Sequence, residues 1–570
     1  MKYATKLFLS IIFLFNHVLT ESSVPYRNVM YYGEWSIYAG QNNFYPSKIN
    51  PKLITHLNFA FLDMDSNGDL VLCDEWAEFQ ITSLPELDGI TYGNPYTGVI
   101  GAINILKIKN PHLKVGISVG GWIRSGDFHE VAGNANKRIN FAKNVVKFID
   151  YIGYDFVDID WEHPTTNREP SPGADDEGCP RGPEDTENFT LLFQALRNEL
   201  DLLGQKNNRH YELIIAMNAV PSMLATIQYD KVLQIVDFAN MMTYDMNGAW
   251  NSYTAHHTPL YTNGAYDPGR MGEAQFSADT CIKYFEQTYG NTIDYKKINI
   301  GVAPYTRGWA GVKNDGIDPN NPGLFASADP NSVIGPDGSA DGTFPFYDLP
   351  TIKQQYALEE YFDYSAKAAY YYSPTKGYFF TIDNEKSVAF KGQYVREKGL
   401  GGLIAWMASL DADGVVTKAM FNSLYGEGYV FPDDELVYSN VQATITINAY
   451  GSSYDITIRN TETIAESNIA LKHAELIGKS VLFMKLYIKT RSGAIFSAGS
   501  MSGEVTNENG IGIVDPSANY DAQNISPGGQ YSFTVNVDRN ADLVDIESVI
   551  ITQRILKNLP EFKKQIIYSN

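Results

Sequence analysis

Tyr154-Asp155-Phe156-Val157-Asp158-Ile159-Asp160-Trp161-Glu162 reads as one buried strand running out into a loop. Side chains alternate along a strand, so Asp158, Asp160 and Glu162 share a face with Tyr154 and Phe156, while Asp155 points the other way. The alternate positions Val157, Ile159 and Trp161 are bulky and apolar, and the motif contains no basic residue. If the acidic face is the inside of a barrel, three carboxyl groups stack toward its C-terminal mouth, where barrel active sites sit. Like charges in a low dielectric cannot all stay ionised, so at least one of these pKa values must rise. A raised carboxyl is what a general acid needs near neutral pH. A metal centre is the competing functional reading, but the motif offers only His163 as a partner, and neither a metal nor a cofactor is expected.

The neighbouring sequence supports a barrel. Short apolar runs at 28–32, 53–62, 113–119, 154–160, 212–219, 236–243, 297–303 and 400–406 make a series of eight candidate strands. Helix-like segments at 139–152, 184–203 and 278–289 precede the fourth, fifth and seventh. Apolar strands alternating with amphipathic helices mean a parallel sheet, and eight such units mean a (β/α)8 TIM barrel over residues 24–425. An open doubly wound sheet would want a glycine-rich phosphate turn after the first strand, and Tyr32-Gly33-Glu34-Trp35 is no such turn.

Residues 311–395 are too long for a plain loop. They open rich in Gly, Pro, Asp and Asn and continue through a Tyr-rich stretch at 364–380, which predicts a small α+β insertion on the barrel's C-terminal rim. From 436 to 570 the apolar runs become short and alternating, separated by turns such as Pro527-Gly528-Gly529, which predicts a C-terminal β-sandwich domain.

The 570 residues hold 44% hydrophobic and 19% charged side chains, an ordinary globular balance that excludes wholesale disorder. The net charge of −22 disfavours nucleic acid and anionic membrane as partners. Aromatics reach 13%, which suits core packing and also the stacking of sugar rings. Lys2 and Lys6 before the apolar run Leu7–Phe15 look like a secretory signal peptide over residues 1–20. The expected location is therefore extracellular, with no membrane attachment after cleavage. Cys73, Cys179 and Cys281 are too few for a disulfide framework, although one pair could bridge. Asn188 and Asn524 stand in glycosylation sequons.

The pattern Asp-x-x-Asp-x-Asp-x-Glu, carried by Asp155, Asp158, Asp160 and Glu162, resembles the signature of glycoside hydrolase family 18, the chitinases. Ser118-Val119-Gly120-Gly121 followed by Trp122, then Met242-Thr243-Tyr244-Asp245, then the eighth-strand Trp406 match three further blocks in the family's order, and the similarity runs from about 28 to 425. The long interval stands where bacterial-type members carry their insertion domain. The resemblance implies hydrolysis of β-1,4-N-acetylglucosamine linkages in chitin and chitooligosaccharides, with retention, by substrate-assisted catalysis. In that scheme the substrate's 2-acetamido oxygen attacks the anomeric carbon. Glu162 protonates the leaving oxygen, Asp160 orients the acetamide N–H, Asp158 shares a proton with Asp160, Tyr244 binds the acetamide carbonyl and Asp245 assists. Trp406 is the expected floor of the sugar site. Trp122, Gly121, Met242, Glu75, Trp76, His163, Arg307 and Trp309 are expected to contact substrate, and Trp35 and Trp250 suit either packing or sugar contact.

Other features are weaker. The acidic run Asp63-Met64-Asp65-Ser66-Asn67-Gly68-Asp69 has the look of a calcium loop but follows a strand, so a polar turn is expected. His256-His257 is expected to be plain loop. The C-terminal domain lacks Trp, so any carbohydrate platform there would use Tyr438, Tyr450, Tyr454, Tyr487, Tyr520 or Tyr531. The chain is expected to act as a monomer. Two alternatives stay open: an endo-β-N-acetylglucosaminidase acting on N-glycans, and a chitin-binding lectin without turnover.

Overall fold

The computed structural model of the chain describes residues 24–570 apart from 91–92, 172–174, 272–274, 439–440, 557–558, 560, 562–565 and 568–570. Residues 1–20, expected from the sequence to be a signal peptide, lie outside the described residues. Eight parallel strands close into a barrel: β1 (Arg27–Gly33), β2 (His56–Met64), β4 (Lys114–Gly120), β5 (Phe156–Asp160), β6 (Glu212–Met217), β7 (Phe238–Met241), β8 (Ile298–Val302) and β13 (Gly402–Ala405). A short strand β3 (Leu70–Leu72) pairs antiparallel with the end of β2, and closure comes from β1 pairing with both β2 and β13. Most residues on these strands are buried on both faces, which is why they read as continuous apolar runs.

Helices α1 (Gly98–Lys109), α2 (Ala135–Ile152), α3 (Asp185–Asn207), α4 (Ala278–Tyr289), α5 (Glu385–Lys398) and α6 (Val415–Tyr425) surround the barrel. Two apolar cores result. One lies between strands and helices, and a smaller one inside the barrel includes Val29, Phe156, Ile214, Phe238 and Ile404. Tyr154, expected on the inner face, packs instead in the outer core, because the strand begins only at Phe156. Asp155 does point outward. It is buried between Lys107 (2.7 Å) and Arg209 (2.8 Å), and its other oxygen accepts the Val115 N–H at 2.8 Å. Removing one member of such a buried pair strands a charge in low dielectric. Lys107→Met is expected to cost about 2–3 kcal/mol, less than full isolation would, because Arg209 stays; thermal unfolding of the purified variant checks this.

The insertion is a four-stranded sheet ordered β10–β11–β12–β9, with β9 (Arg307–Trp309), β10 (Glu359–Asp363), β11 (Ala368–Ser373) and β12 (Tyr378–Ile382). Its bounds differ from the expected 311–395. The sheet recruits Arg307–Trp309 as an edge strand, and the chain leaves it before α5, which packs on the barrel against α6, β8 and β13.

Beyond residue 440, one sheet holds Val441–Tyr450, Ser453–Asn460, Gln530–Val537 and Phe496–Ala498, and another holds Lys485–Thr490, Ile511–Asp515, Glu504–Glu508 and Ile546–Thr552. Residues from both sheets, among them Ile456, Val535, Leu486 and Val514, share one apolar core. A helix not foreseen from the strand-like texture, α7 (Ile469–Lys479), packs against α2 and β3 of the barrel. Among the described residues, no helix is long and apolar enough to cross a membrane.

Candidate active site

Strand β5 presents its acids from the barrel interior upward. Asp158 is deepest. Its Oδ2 accepts hydrogen bonds from Tyr31 Oη (2.6 Å), Ser118 Oγ (2.8 Å) and Asn58 Nδ2 (3.1 Å), donors from β1, β4 and β2. Register explains the convergence, since Ser118 lies beside Asp158 and Tyr31 beside Asn58. Burial pushes the Asp158 carboxyl up to about 6, while those three donors pull the other way. Asp160 comes next, with Gly120 beside it in register. Burial and the neighbouring charges of Glu162 and Asp158 hold its carboxyl well above the usual range. Its Oδ1 is a buried acceptor without a hydrogen-bond partner, as is Oδ1 of Asp158.

Glu162 follows the end of β5. Ser125 holds it in place: its Oγ accepts the Glu162 N–H (2.9 Å) and donates to the Gly121 carbonyl (2.9 Å). Burial raises the Glu162 carboxyl to about 7, the charge of Asp245 adds to this, and Arg168 opposes it. Gly121 has φ +92°, and a Cβ there would sit 2.7 Å from the Phe61 ring, so only glycine keeps this turn tight beside the acids.

Tyr244 and Asp245 follow β7. Arg307 grips Asp245 in a bidentate pair, Nε to Oδ1 at 2.8 Å and Nη2 to Oδ2 at 2.9 Å, and also pairs with Asp341. Burial alone would raise the Asp245 carboxyl, but Arg307 and a hydrogen bond from His257 outweigh it and keep it ionised. Arg307 was expected to reach the substrate. It does line the cleft, but three of its donors go to the Asp245 and Asp341 carboxylates and one to the Thr343 hydroxyl.

These groups surround a cavity of about 760 Å³ lined by Asp160, Glu162, Met242, Tyr244, Asp245 and Arg307, with Trp35, Trp122, Trp250 and Trp406 as its aromatic walls. Asp158 lies beneath it. Trp406 rests on Phe61 (ring centroids 5.6 Å, 20° apart) and near Tyr31 (5.5 Å), which fixes its plane. Trp122 is 49% exposed, and the Arg168 guanidinium lies 4.2 Å from its ring centroid. His163 lies to the side, in a smaller pocket shared with Glu162, Tyr244 and Asp245. Its Nε2 is 3.7 Å from Glu162 Oε2, and burial lowers its pKa to about 4, so its ring is neutral.

Two sequence expectations fail here. Trp309 is 0% exposed, packed at 5.8 Å from Phe379 with its indole N–H on the Asn251 carbonyl, so it is core rather than cleft. Glu75 points away from the cavity and bonds His473 of α7 at 2.9 Å. No cysteine pair bridges, since all three thiols are free: Cys73 lies on the cavity wall, Cys179 bonds the His163 carbonyl and Cys281 the Ala219 carbonyl. His256 and His257 lie in a loop, as expected, and are buried there on Asp363 and Asp245. The acidic run at 63–69 forms a polar turn, with Asp65 capping Asn67 and Asp69 and with Asp69 held by Asn140 and Asn144. In the C-terminal domain Tyr438, Tyr454 and Tyr531 are buried and Tyr487 is half-buried, while Tyr450 and Tyr520 are exposed among the described residues.

Sequence reasoning passed over Tyr31, Asn58, Ser125, Arg168 and Glu34. Glu34 lines the cavity, accepts the Phe61 N–H at 2.9 Å and is pushed up to about 8 by burial. Among the described residues one group has atoms close enough for shared metal ligation: Glu34, Cys73 and Glu78, within 4.8 Å of one another. Burial pushes all three toward their protonated forms, which competes with a cation.

A closed parallel barrel with stacked carboxyls at its C-terminal mouth and an aromatic-lined cleft above them is the arrangement of a barrel glycosidase. The model of the glycosyl hydrolases family 18 matches residues 27–411, and the chain belongs to that family. It is 31% identical over 478 residues to Chitinase A1 of Niallia circulans, a match covering 77% of this chain and 65% of that relative's length. Among solved structures, the catalytic domain of psychrophilic chitinase B from Arthrobacter TAD20 superposes with a TM-score of 0.60 at 27% identity, over 71% of this chain and 97% of that one. Chitinase ChiA74 from Bacillus thuringiensis superposes with a TM-score of 0.62 at 22% identity, over 92% of this chain and 100% of that one. At that identity it bears on the fold alone.

Proposed function

We propose that this chain is a secreted chitinase that cleaves β-1,4-N-acetylglucosamine linkages with retention, through substrate-assisted catalysis with Glu162 as acid and then base. The observation that carries the mechanism is the occupancy of the carboxyls. Asp245 is neutralised by Arg307, and Asp158 is buried beneath the cavity with one oxygen filled by three donors. Asp160 and Glu162 line the cleft, Oδ1 of Asp160 has no hydrogen-bond partner, and both carboxyls are raised; Glu34, also on the wall and raised, is held by the Phe61 N–H. A raised Glu162 suits leaving-group protonation. The orphaned Oδ1 of Asp160 suits an amide N–H brought by the substrate, because a buried acceptor gains most from the partner it lacks. Asp160 then holds the acetamide while its oxygen attacks the anomeric carbon, and a proton shared with Asp158 limits repulsion between the two. Tyr244 closes the other side of the acetamide. Its own ionisation is suppressed by burial and by the surrounding acids, so it remains a donor.

The test is the anomeric form of the products from a soluble N-acetylglucosamine oligomer, read by NMR early in the reaction. β-Anomers are expected. α-Anomers would overturn the retaining mechanism, and binding without cleavage would turn the assignment to a lectin.

A pH profile follows from the same groups. Glu162 acts as acid only when protonated, so kcat/KM is expected to hold below about 7 and fall as pH rises through it. Asp245→Asn removes a charge that raises Glu162, so the alkaline limb is expected to move to lower pH. A limb that stays in place would detach Asp245 from the acid's titration.

A further inference from the structure

The Glu75–Trp76 turn is gripped from outside the barrel. Trp76 is 48% exposed and stacks on Tyr38, itself 40% exposed, with ring centroids 6.2 Å apart and planes 18° apart. Both rings sit a few residues from the cavity wall, Tyr38 after Trp35 and Trp76 after Cys73. Tyr38 Oη donates to Asp74, tying the two turns together. The stacked pair, each ring partly exposed, places an apolar aromatic surface near the rim of the cleft.

What holds this turn is α7 of the C-terminal domain. The His473 ring lies flat on Phe79, 4.8 Å between centroids and 12° between planes, and its Nε2 bonds Glu75 Oε1 at 2.9 Å. The same carboxylate oxygen accepts from Gln80 at 2.8 Å. Asn468, at the start of α7, donates to the Leu70 carbonyl of β3 at 2.7 Å, and Glu466 pairs with Lys147 of α2 at 2.8 Å. The segment Trp76–Gln80 is one irregular helical turn with wider than α spacing, a geometry that tertiary contacts must sustain. Its two outer supports, Glu75 and Phe79, flank Trp76 and both meet His473.

The family resemblance already implies sugar contact at Trp76; we infer that the C-terminal domain serves that contact directly, with His473 as a positioning residue that fixes the Trp76–Tyr38 pair for sugar units lying beyond the cavity. This gives the domain a part in recognising long N-acetylglucosamine chains that needs no polysaccharide site of its own. It deepens the proposed function and rests on it. A short oligomer that fills only the cavity should not sense His473, whereas a longer one should.

The experiment uses the full chain carrying Glu162→Gln, so that binding is read without turnover. Affinities for the β-1,4-linked trimer and hexamer of N-acetylglucosamine are measured by calorimetry. His473→Ala and Trp76→Ala are each expected to weaken the hexamer about tenfold, the worth of one aromatic contact, and to leave the trimer within about twofold. The double variant is expected to be no worse than either single one, since both remove the same platform. His473→Gln, which can still donate to Glu75, should restore most of the hexamer affinity. The inference is overturned if His473→Ala weakens trimer and hexamer alike, or if it leaves the hexamer unchanged while Trp76→Ala weakens it. A parent chain that binds neither oligomer would defeat the proposed function itself, and this inference with it.

Discussion

Glu162→Gln is expected to lower kcat roughly 10²–10⁴-fold on a soluble oligomer while binding stays close to that of the parent, the range set by loss of a general acid. The substitution keeps the shape of the side chain, and its backbone anchor is untouched, because Ser125 Oγ accepts the Glu162 N–H rather than bonding the carboxyl. What disappears is a proton held at about 7 in a buried setting. The amide cannot protonate the leaving oxygen, so bond cleavage stalls after a productive complex has formed. Single-turnover kinetics alongside calorimetry separate the two effects. Equal losses in affinity and turnover would mean that Glu162 is a binding group only.

Asp160→Asn is the second severe case, expected to lower kcat/KM about 10²–10³-fold, the order found when a preorganised electrostatic partner is removed. Asp160 and Asp158 follow one another up the same interior face, and each has a buried Oδ1 with no partner. An amide at 160 offers one acceptor in place of a carboxylate, cannot share a proton with Asp158, and cannot carry the negative charge that an oxazolinium ion requires. A variant that kept near-parental turnover would remove Asp160 from the mechanism and return the acetamide to Tyr244 alone.

Much of this architecture was legible. The barrel strands are apolar on both faces, so eight buried runs stand out against polar connections, and β5 carries its acids in strict alternation. The groups that tune those acids were not legible. Tyr31, Asn58 and Ser118 reach Asp158 from three different strands, and only the closed register brings them together. Trp309 was misplaced because an indole suits a cleft and a core equally, and the choice was made by β12, some seventy positions later in the chain. His256 and His257 do lie in a loop, but their burial was not legible, because Asp363 comes from β10 and Asp245 from twelve residues earlier in the same connection. For α7 a signal did exist: Ala470, Leu471, Ala474 and Ile477 repeat at helical spacing inside a strand-like region, and all four are buried.

The strand β9 has a consequence for how this molecule could be rebuilt or could have diversified. Arg307 belongs by pairing to the insertion sheet, through Thr381 of β12, yet its guanidinium neutralises Asp245 at the top of the barrel. The insertion and the barrel are therefore not interchangeable modules. Excising the sheet together with β9 would discharge Arg307 from its post and return Asp245 to the cleft as an unpaired anion. A graft that shortens or swaps this wall would have to begin after Trp309, leaving Arg307 rooted on the barrel side of the junction.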